Sequence, residues 1–176
     1  MKARTGFYVC LKCVGVVAVV SAFSSHTRRD SAPQELLSFR LVRDSLQPAT
    51  KGSVVEVTVR FVVRNVSGKA VYLANECGGS PRYWVERQET RSSGHKGWHQ
   101  VFSADCTGSD VRRALQPLDS SVFVSRLIQF PAQTPMFAFS THADVYRFMY
   151  VVWTSSDMAA IDIKVASPPV VIRAPN

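Results

Sequence analysis

The stretch Val54–Asn65 reads Val-Val-Glu-Val-Thr-Val-Arg-Phe-Val-Val-Arg-Asn, and it decides the fold class. Alternate positions are apolar: Val55, Val57, Val59, Phe61 and Val63. The positions between them are mostly polar: Glu56, Thr58, Arg60 and Arg64. An alternation with a period of two predicts a half-buried β-strand, because a helix would scatter the same apolar residues around its circumference.

Further strand-like segments, separated by turn residues, occur on both sides of this stretch. They span 36–44, 70–75, 82–89, 98–102, 121–130, 146–154, 161–165 and 170–173. Residues 47–52 and 65–69 are predicted as turns, because they are rich in Pro, Gly, Asn and Ser. No segment has the pattern of an amphipathic helix. The sequence therefore predicts an all-β fold, an antiparallel sandwich of about seven to nine strands.

The first residues have the three parts of a secretory signal peptide. Lys2, Arg4 and Lys12 lie in a basic start, an apolar run covers 13–20, and small residues follow at 21–25. We predict cleavage after Ala22 or Ser24. The alternative is an uncleaved anchor over 7–23, but Lys12 interrupts it and a membrane span needs about 20 apolar residues. The predicted organisation is a signal peptide at 1–24, a flexible lead-in at 25–35 and a sandwich domain at 36–174, with no transmembrane span after cleavage.

Composition excludes some classes of protein and constrains the partners. The chain has 176 residues, 46% of them hydrophobic and 19% charged, which suits one domain with a real core and excludes a disordered chain. Without residues 1–24, 18 basic and 13 acidic residues remain. Arginines are scattered singly along the predicted strands, among them Arg40, Arg43, Arg60, Arg64, Arg82, Arg87, Arg126 and Arg147. A specific nucleic-acid binder would concentrate them, so we predict a basic surface with weak attraction to anionic envelope surfaces.

Cys77 and Cys106 are the only cysteines after residue 24. Export would take them to an oxidising compartment, where a single intramolecular disulfide is the expected outcome. The alternatives are a reactive thiol and a metal site that includes His95 and His99. Glycines around the His-x-x-x-His spacing argue against the helix that such a site uses. Cys10 and Cys13 fall inside the predicted signal peptide and are interpreted as incidental.

A late strand is apolar on both of its faces. Tyr146, Phe148 and Tyr150 share one face, while Met149 and Val151 lie on the other. This pattern predicts a central strand in the core, with the Tyr146 hydroxyl bonded to the backbone at a corner. The alternative is a stacking platform for a ligand. The candidate binding residues are Trp84, Trp98, Tyr146 and Arg147.

Several short motifs occur in a characteristic order: Asn65-x-Ser67, Val71-Tyr72-Leu73, Cys77-Gly78, Gly97-Trp98, Cys106, Leu115-x-Pro117 and Asp144-x-Tyr146-Arg147. In this order the chain resembles small exported bacterial Ig-like β-sandwich domains, over about 36–173. The resemblance implies an Ig-like sandwich and supplies no catalytic residue. More distantly, the chain is similar to the intracellular proteinase inhibitor type of β-sandwich, from which it departs in its signal peptide and cysteines.

Motifs of catalysis and of cofactor binding are missing from the sequence. A Ser140–His142–Asp144 grouping can be written down, but neighbours in sequence do not make a triad. We therefore predict an exported, non-catalytic binding or structural protein of the bacterial cell envelope, without cofactor or metal. Its partner would be another envelope protein or an anionic surface. The alternatives are a protease inhibitor presenting the loop Gly78–Arg82 or Pro131–Met136, and a small hydrolase using His142.

Export makes a prediction about the mature N-terminus. Mass spectrometry of the protein from its native host should find a chain that starts between Phe23 and His26, because signal peptidase cuts after small residues. An intact Met1 on a cytoplasmic protein would contradict export and would remove the argument for the disulfide.

Overall fold

The computed structural model describes residues 35–42, 46–74, 76–77, 79–104, 106, 112–130, 137–157 and 160–175. The predicted signal peptide and nearly all of the lead-in lie outside these residues, so both stay predictions. Within the described ranges, no helix is long and apolar enough to cross a membrane.

Eleven strands make up the described part of the chain, and every pairing between them is antiparallel. The strands are β1 (Leu37–Leu41), β2 (Ala49–Lys51), β3 (Val54–Asn65), β4 (Val71–Ala74), β5 (Tyr83–Thr90), β6 (Lys96–Ser103), β7 (Arg112–Leu115), β8 (Ser120–Gln129), β9 (Asp144–Val152), β10 (Ile163–Ala166) and β11 (Val170–Ile172). The prediction of an all-β antiparallel sandwich is confirmed.

The strand count exceeds the prediction by two. All nine predicted segments are strands, within two to three residues at most ends, but β2 and β7 were missed. The three residues of β2 are all exposed, and β7 has the sequence Arg-Arg-Ala-Leu, so neither shows an apolar–polar alternation. The turn at 65–69 is present, although it does not make a hairpin: β3 pairs with β1, β2 and β8, whereas β4 pairs with β7.

Two larger sheets form the layers of the sandwich. In the first, called the β3 sheet, β8 runs along one edge of β3, while β1 and β2 share the other edge. A cleft of about 540 Å³ opens where β1 and β2 leave a gap along β3. In the second, called the β9 sheet, the order is β10-β9-β5-β6, and β11 also pairs with β9. The β4–β7 pair continues the β9 sheet through backbone hydrogen bonds between Tyr72 and Trp153.

Aromatic rings fill the space between the two large sheets. Tyr150, from the centre of the β9 sheet, is completely buried, and its ring centroid lies 5.0 Å from Phe123 and 5.7 Å from Phe39. Phe61, also completely buried, packs edge-on against Phe39 and Phe148 at 5.8 Å. Ring contacts at these separations add to the burial of apolar area, so this cluster contributes to the stability of the sandwich.

Hydroxyl groups connect the sheets inside this apolar layer. The Tyr150 hydroxyl lies 2.9 Å from Ser125 Oγ, which lies 3.4 Å from Ser80 Oγ. The Tyr83 hydroxyl of β5 donates to the Arg126 carbonyl at 2.8 Å and accepts from the Arg126 N–H at 2.7 Å, so it bonds to the free edge of β8. Burial raises the pKa of both tyrosines, so they stay neutral donors at physiological pH.

Cys77 and Cys106 form the disulfide that the sequence predicts. Their Cα atoms are 5.1 Å apart and their positions differ by 29 residues. The bond ties the connection between β4 and β5 to the connection between β6 and β7. Cys77 also packs against the core, so the link is part of the folded layer and not a surface attachment.

Burial of one face of β3 predicts a difference between two alanine substitutions. Phe61→Ala should lower the free energy of unfolding by about 3–5 kcal/mol, because it removes a buried ring and leaves a cavity. Thr58→Ala on the opposite face is the control and should cost less than about 1 kcal/mol. Urea unfolding of both variants measures the difference, and equal costs would contradict an inward-facing Phe61 and an outward-facing Thr58.

Candidate functional site

Three of the four candidate binding residues come together on the outer face of the β9 sheet. The inward positions of β5 and β9 are occupied by core residues such as Val85 and Phe148, so their neighbours in sequence point outward. This alternation places Trp84 on the outer side of β5 and Arg147 on the outer side of β9. The β5–β6 register then sets Trp98 opposite Gln88, close to the same arginine.

Glu86 holds this group of side chains together. Register places Glu86 directly opposite Arg147, and both Nε and Nη2 of the arginine lie 2.6 Å from Glu86 Oε2. The other carboxylate oxygen accepts a hydrogen bond from the Trp84 indole at 3.0 Å. Both oxygens of a largely buried carboxylate are thereby satisfied, and the charge is neutralised.

Cations lie over both tryptophan rings. The Arg147 guanidinium carbon is 4.5 Å from the Trp98 ring centroid, and the Lys164 ammonium is 5.3 Å from that of Trp84. These contacts make a continuous chain of side chains, and we call it the aromatic–arginine face: Trp98, Arg147, Glu86, Trp84 and Lys164. Each member is restrained by a neighbour, which is the condition under which a surface would lose little conformational entropy on binding.

Tyr146, the fourth candidate, is not part of this face. It is 1% exposed and occupies an inward position of β9, so the stacking-platform alternative is wrong for this residue. Register places Tyr146 opposite Arg87, and within the described residues no hydrogen bond joins its hydroxyl to the backbone; Tyr83 makes the backbone contact that was expected of Tyr146. Burial, reinforced by the Asp144 charge, raises the pKa of Tyr146 to about 12.

The prediction that β9 is covered on both faces is correct for its C-terminal half. Val151 and Trp153 point outward yet are buried, and they pack with Ala74, Tyr72 and Trp84. The aromatic–arginine face therefore begins where this second apolar cluster ends, and Trp84 belongs to both.

Glu86 and Lys164 were not identified from the sequence. Nothing local distinguishes Glu86 from other surface carboxylates, because its role depends on facing Arg147, which is 61 residues away in the chain. A search for carboxylates on the outward positions of predicted strands would have included it. It could not have been selected without the strand register.

The histidine groupings considered from the sequence take other roles. The Ser140 hydroxyl accepts the backbone N–H of His142 at 3.1 Å, the Asp144 carboxylate lies 3.8 Å from Arg87, and His142 is exposed, which is the geometry of a turn. His99 lies 3.8 Å from Glu89. Among the residues that the structure describes, no three His, Cys, Asp or Glu side chains are grouped to hold a metal ion.

The described part of one loop considered for protease inhibition, residues 79–82, is partly packed against the protein. Ser80 and Pro81 are buried, the Ser80 carbonyl accepts the Cys77 N–H, and the Gly79 carbonyl accepts the N–H of Val124, while Arg82 is exposed. A substrate-like loop has to project into a protease cleft, and Ser80 and Pro81 do not project. The other loop, 131–136, lies outside the described residues.

Comparisons with known proteins find only distant structural likeness. No protein-family model matches the sequence, and no curated protein matches it. Two solved structures each match 80% of the chain. One, a Northeast Structural Genomics Consortium target solved by X-ray crystallography, shows 10% identity, a TM-score of 0.44 and 88% of its own chain covered. The other, the putative ApaA protein from Bordetella pertussis, shows 11% identity, a TM-score of 0.42 and 94% of its chain covered.

The Arg147–Glu86 pair predicts measurable energetic coupling. A double-mutant cycle with Arg147→Ala and Glu86→Ala should give a coupling energy of about 1–2 kcal/mol. This value lies between the coupling energies typical of exposed ion pairs and those of buried hydrogen bonds to charged groups. The matched control is the pair Arg82 and Glu76, in which Arg82 Nε lies 3.4 Å from Glu76 Oε2 and the arginine side chain is half exposed. Its coupling energy should be less than about 0.5 kcal/mol. Chemical denaturation measures both cycles, and coupling of Arg147 with Glu86 no larger than the control would contradict a tight, largely buried pair.

Proposed function

We propose that this protein is an exported, non-catalytic binding module of the cell envelope that recognises another protein through its aromatic–arginine face. The observation that carries the proposal is the convergence of Trp84, Trp98 and Arg147 from three strands onto one outer surface. Trp84, Trp98 and Arg147 are half-buried there, and Glu86 bonds to both Trp84 and Arg147.

The residue types favour a protein as the ligand. Tryptophan and arginine are the residues most enriched where a few side chains carry most of the binding energy of a protein interface. Half-buried Met149 lies beside Arg147 on the outer side of β9, and methionine is also enriched at interfaces. Gln88 and Gln100 flank Trp98 and supply the polar rim that such interfaces have.

A sugar or a nucleic-acid base fits this surface less well. Such ligands stack on open aromatic faces. Arg147 and Lys164 already cover one face of each ring, so a stacking ligand would have less aromatic surface than an open platform offers. A protein partner can contact the ring edges and the cation together, so it needs no displacement of the existing contacts.

Export and the envelope location rest on the sequence and on the disulfide. The N-terminal segment has the pattern of a signal peptide. The Cys77–Cys106 bond supports the same compartment, because structural disulfides persist where the environment is oxidising. We therefore expect the protein partner to be in the same oxidising compartment.

Site-specific crosslinking in the native host tests the proposal. A photo-reactive amino acid at Gln100, exposed beside Trp98, should give a discrete protein adduct, and Trp98→Ala should weaken that adduct. The matched control places the same amino acid at Gln116, an exposed position in the turn between β7 and β8. Melting temperatures confirm that each variant folds. Identical adducts from both positions, or an adduct unaffected by Trp98→Ala, would contradict recognition by this face.

A further inference from the structure

The outer face of the β3 sheet carries four arginines from three strands. Arg40 comes from β1, Arg60 and Arg64 from β3, and Arg126 from β8. Register places Arg40 opposite Val62, so it is diagonal to both Arg60 and Arg64. Because Arg126 lies opposite Thr58, it is likewise diagonal to Arg60. Diagonal neighbours on one face of a sheet are about 7–8 Å apart, so arginines that are scattered in the sequence form one continuous group.

This group is not neutralised by the rest of the described chain. Arg40, Arg60 and Arg126 are exposed and have no side-chain hydrogen bond or ion pair within the described residues, while Arg64 donates only to the Leu118 carbonyl at 3.2 Å. Glu56 is on the same outer side of β3, but it is nearly buried and forms an ion pair with Lys51. The face therefore presents charge of one sign to solvent.

Exposed apolar side chains lie among these arginines. Val122, on an outward position of β8, is 50% exposed, and Phe130, which directly follows β8, is 60% exposed. Val42 continues the outward alternation of β1 beyond Arg40, donates its N–H to the Arg60 carbonyl, and is 49% exposed. Isolated apolar residues on a surface need no explanation, but Val42 and Val122 beside the arginines, with Phe130 at the end of β8, make a mixed basic and apolar surface.

We propose that this surface, called the arginine face and defined by Arg40, Arg60, Arg64, Arg126, Val42, Val122 and Phe130, docks onto an anionic lipid bilayer. Each basic residue near such a bilayer is attracted by its surface potential. The apolar side chains can enter the boundary between headgroups and acyl chains while the arginines stay at headgroup level.

A lipid surface explains these features better than an acidic protein would. Protein interfaces deplete charged residues in their core and rely on buried aromatic anchors. The arginine face has a single sign of charge, and most of its apolar residues are valines, which are under-represented among the residues that dominate protein interfaces. It also lies on the opposite outer side of the sandwich from the aromatic–arginine face, so membrane docking does not depend on the function proposed above.

Vesicle co-sedimentation of the protein purified from its host tests docking. The probes are vesicles of phosphatidylcholine alone and of phosphatidylcholine mixed with phosphatidylglycerol. The protein should bind only the anionic vesicles, and added salt should weaken the binding. The triple variant Arg40→Gln, Arg60→Gln, Arg126→Gln should partition about a hundredfold less, since each basic residue contributes about fivefold.

A second triple variant controls for net charge. Lys69→Gln, Lys96→Gln and Arg173→Gln remove the same charge from exposed positions outside the arginine face, and this variant should retain most of the binding. Melting temperatures establish that both variants fold. Equal losses in the two triple variants would overturn the proposal, because only net charge would then matter. Failure of the protein to bind anionic vesicles would also overturn the proposal. If the protein then binds polyglutamate, and the arginine-face variant does not, the face recognises an acidic protein surface instead.

Discussion

The structure depends on the register between β3 and β8. Ten antiparallel pairs run from Val55 opposite Gln129 to Arg64 opposite Ser120, and β3 is the strand to which β1 and β2 also attach. Side chains alternate along each strand, so a slip of one residue would move every inward residue of β8 to the outside. With the observed register, Phe61 and Phe123 meet in the core while Arg60 and Arg126 lie on the outer face. One constraint thus determines both the aromatic core and the charge of the surface.

Polar contacts inside the core fix β8 of this pair relative to the β9 sheet. The Tyr83 hydroxyl bonds to both backbone groups of Arg126, and the Tyr150 hydroxyl meets Ser125 on the same strand. An apolar core alone would tolerate small shifts of one sheet over the other, whereas buried hydroxyls lose their partners when a sheet shifts. The Tyr83 contact also occupies part of the free edge of β8, which would otherwise offer unpaired backbone groups to another chain.

Local patterns predicted the fold class and the long strands, and they failed where the outcome depends on contacts distant in sequence. The alternation in β3 and the two apolar faces in the C-terminal half of β9 were interpreted correctly, because the spacing of apolar residues along a strand shows which faces are buried. β2 and β7 have no such spacing and are strands because a neighbour pairs with them. The pair Cys77–Cys106 was predicted from the expected compartment and from there being only two cysteines after residue 24. Trp84, Trp98 and Arg147 were identified from the sequence but Glu86 was not, because only the β5–β9 register shows that Glu86 faces Arg147.

The arginines of the β3 sheet show most clearly that local sequence patterns do not predict which residues meet on one face. In the sequence they occur singly, which suggested a diffuse basic surface, yet three strands bring four of them to one face. The tryptophan–arginine contacts of the β9 sheet are on the other outer side. A small sandwich can thus have two outer surfaces of different chemistry. The register within each sheet decides which side chains point outward from that sheet, independently of the other sheet.

The register itself is directly measurable by NMR. The Arg60 carbonyl accepts the Val42 N–H, and both backbone groups of Arg126 bond to the Tyr83 hydroxyl, so the backbone groups of Arg60 and Arg126 point away from the β3–β8 interface. Arg60–Val124 and Val62–Val122 are therefore non-hydrogen-bonded pairs, with Cα atoms about 4.5 Å apart. We expect strong nuclear Overhauser effects between the α-protons of Arg60 and Val124 and between those of Val62 and Val122. Effects that instead connect Val62 with Ser121 or Phe123 would show a register shifted by one residue and would contradict the assignment of both the core and the outer face.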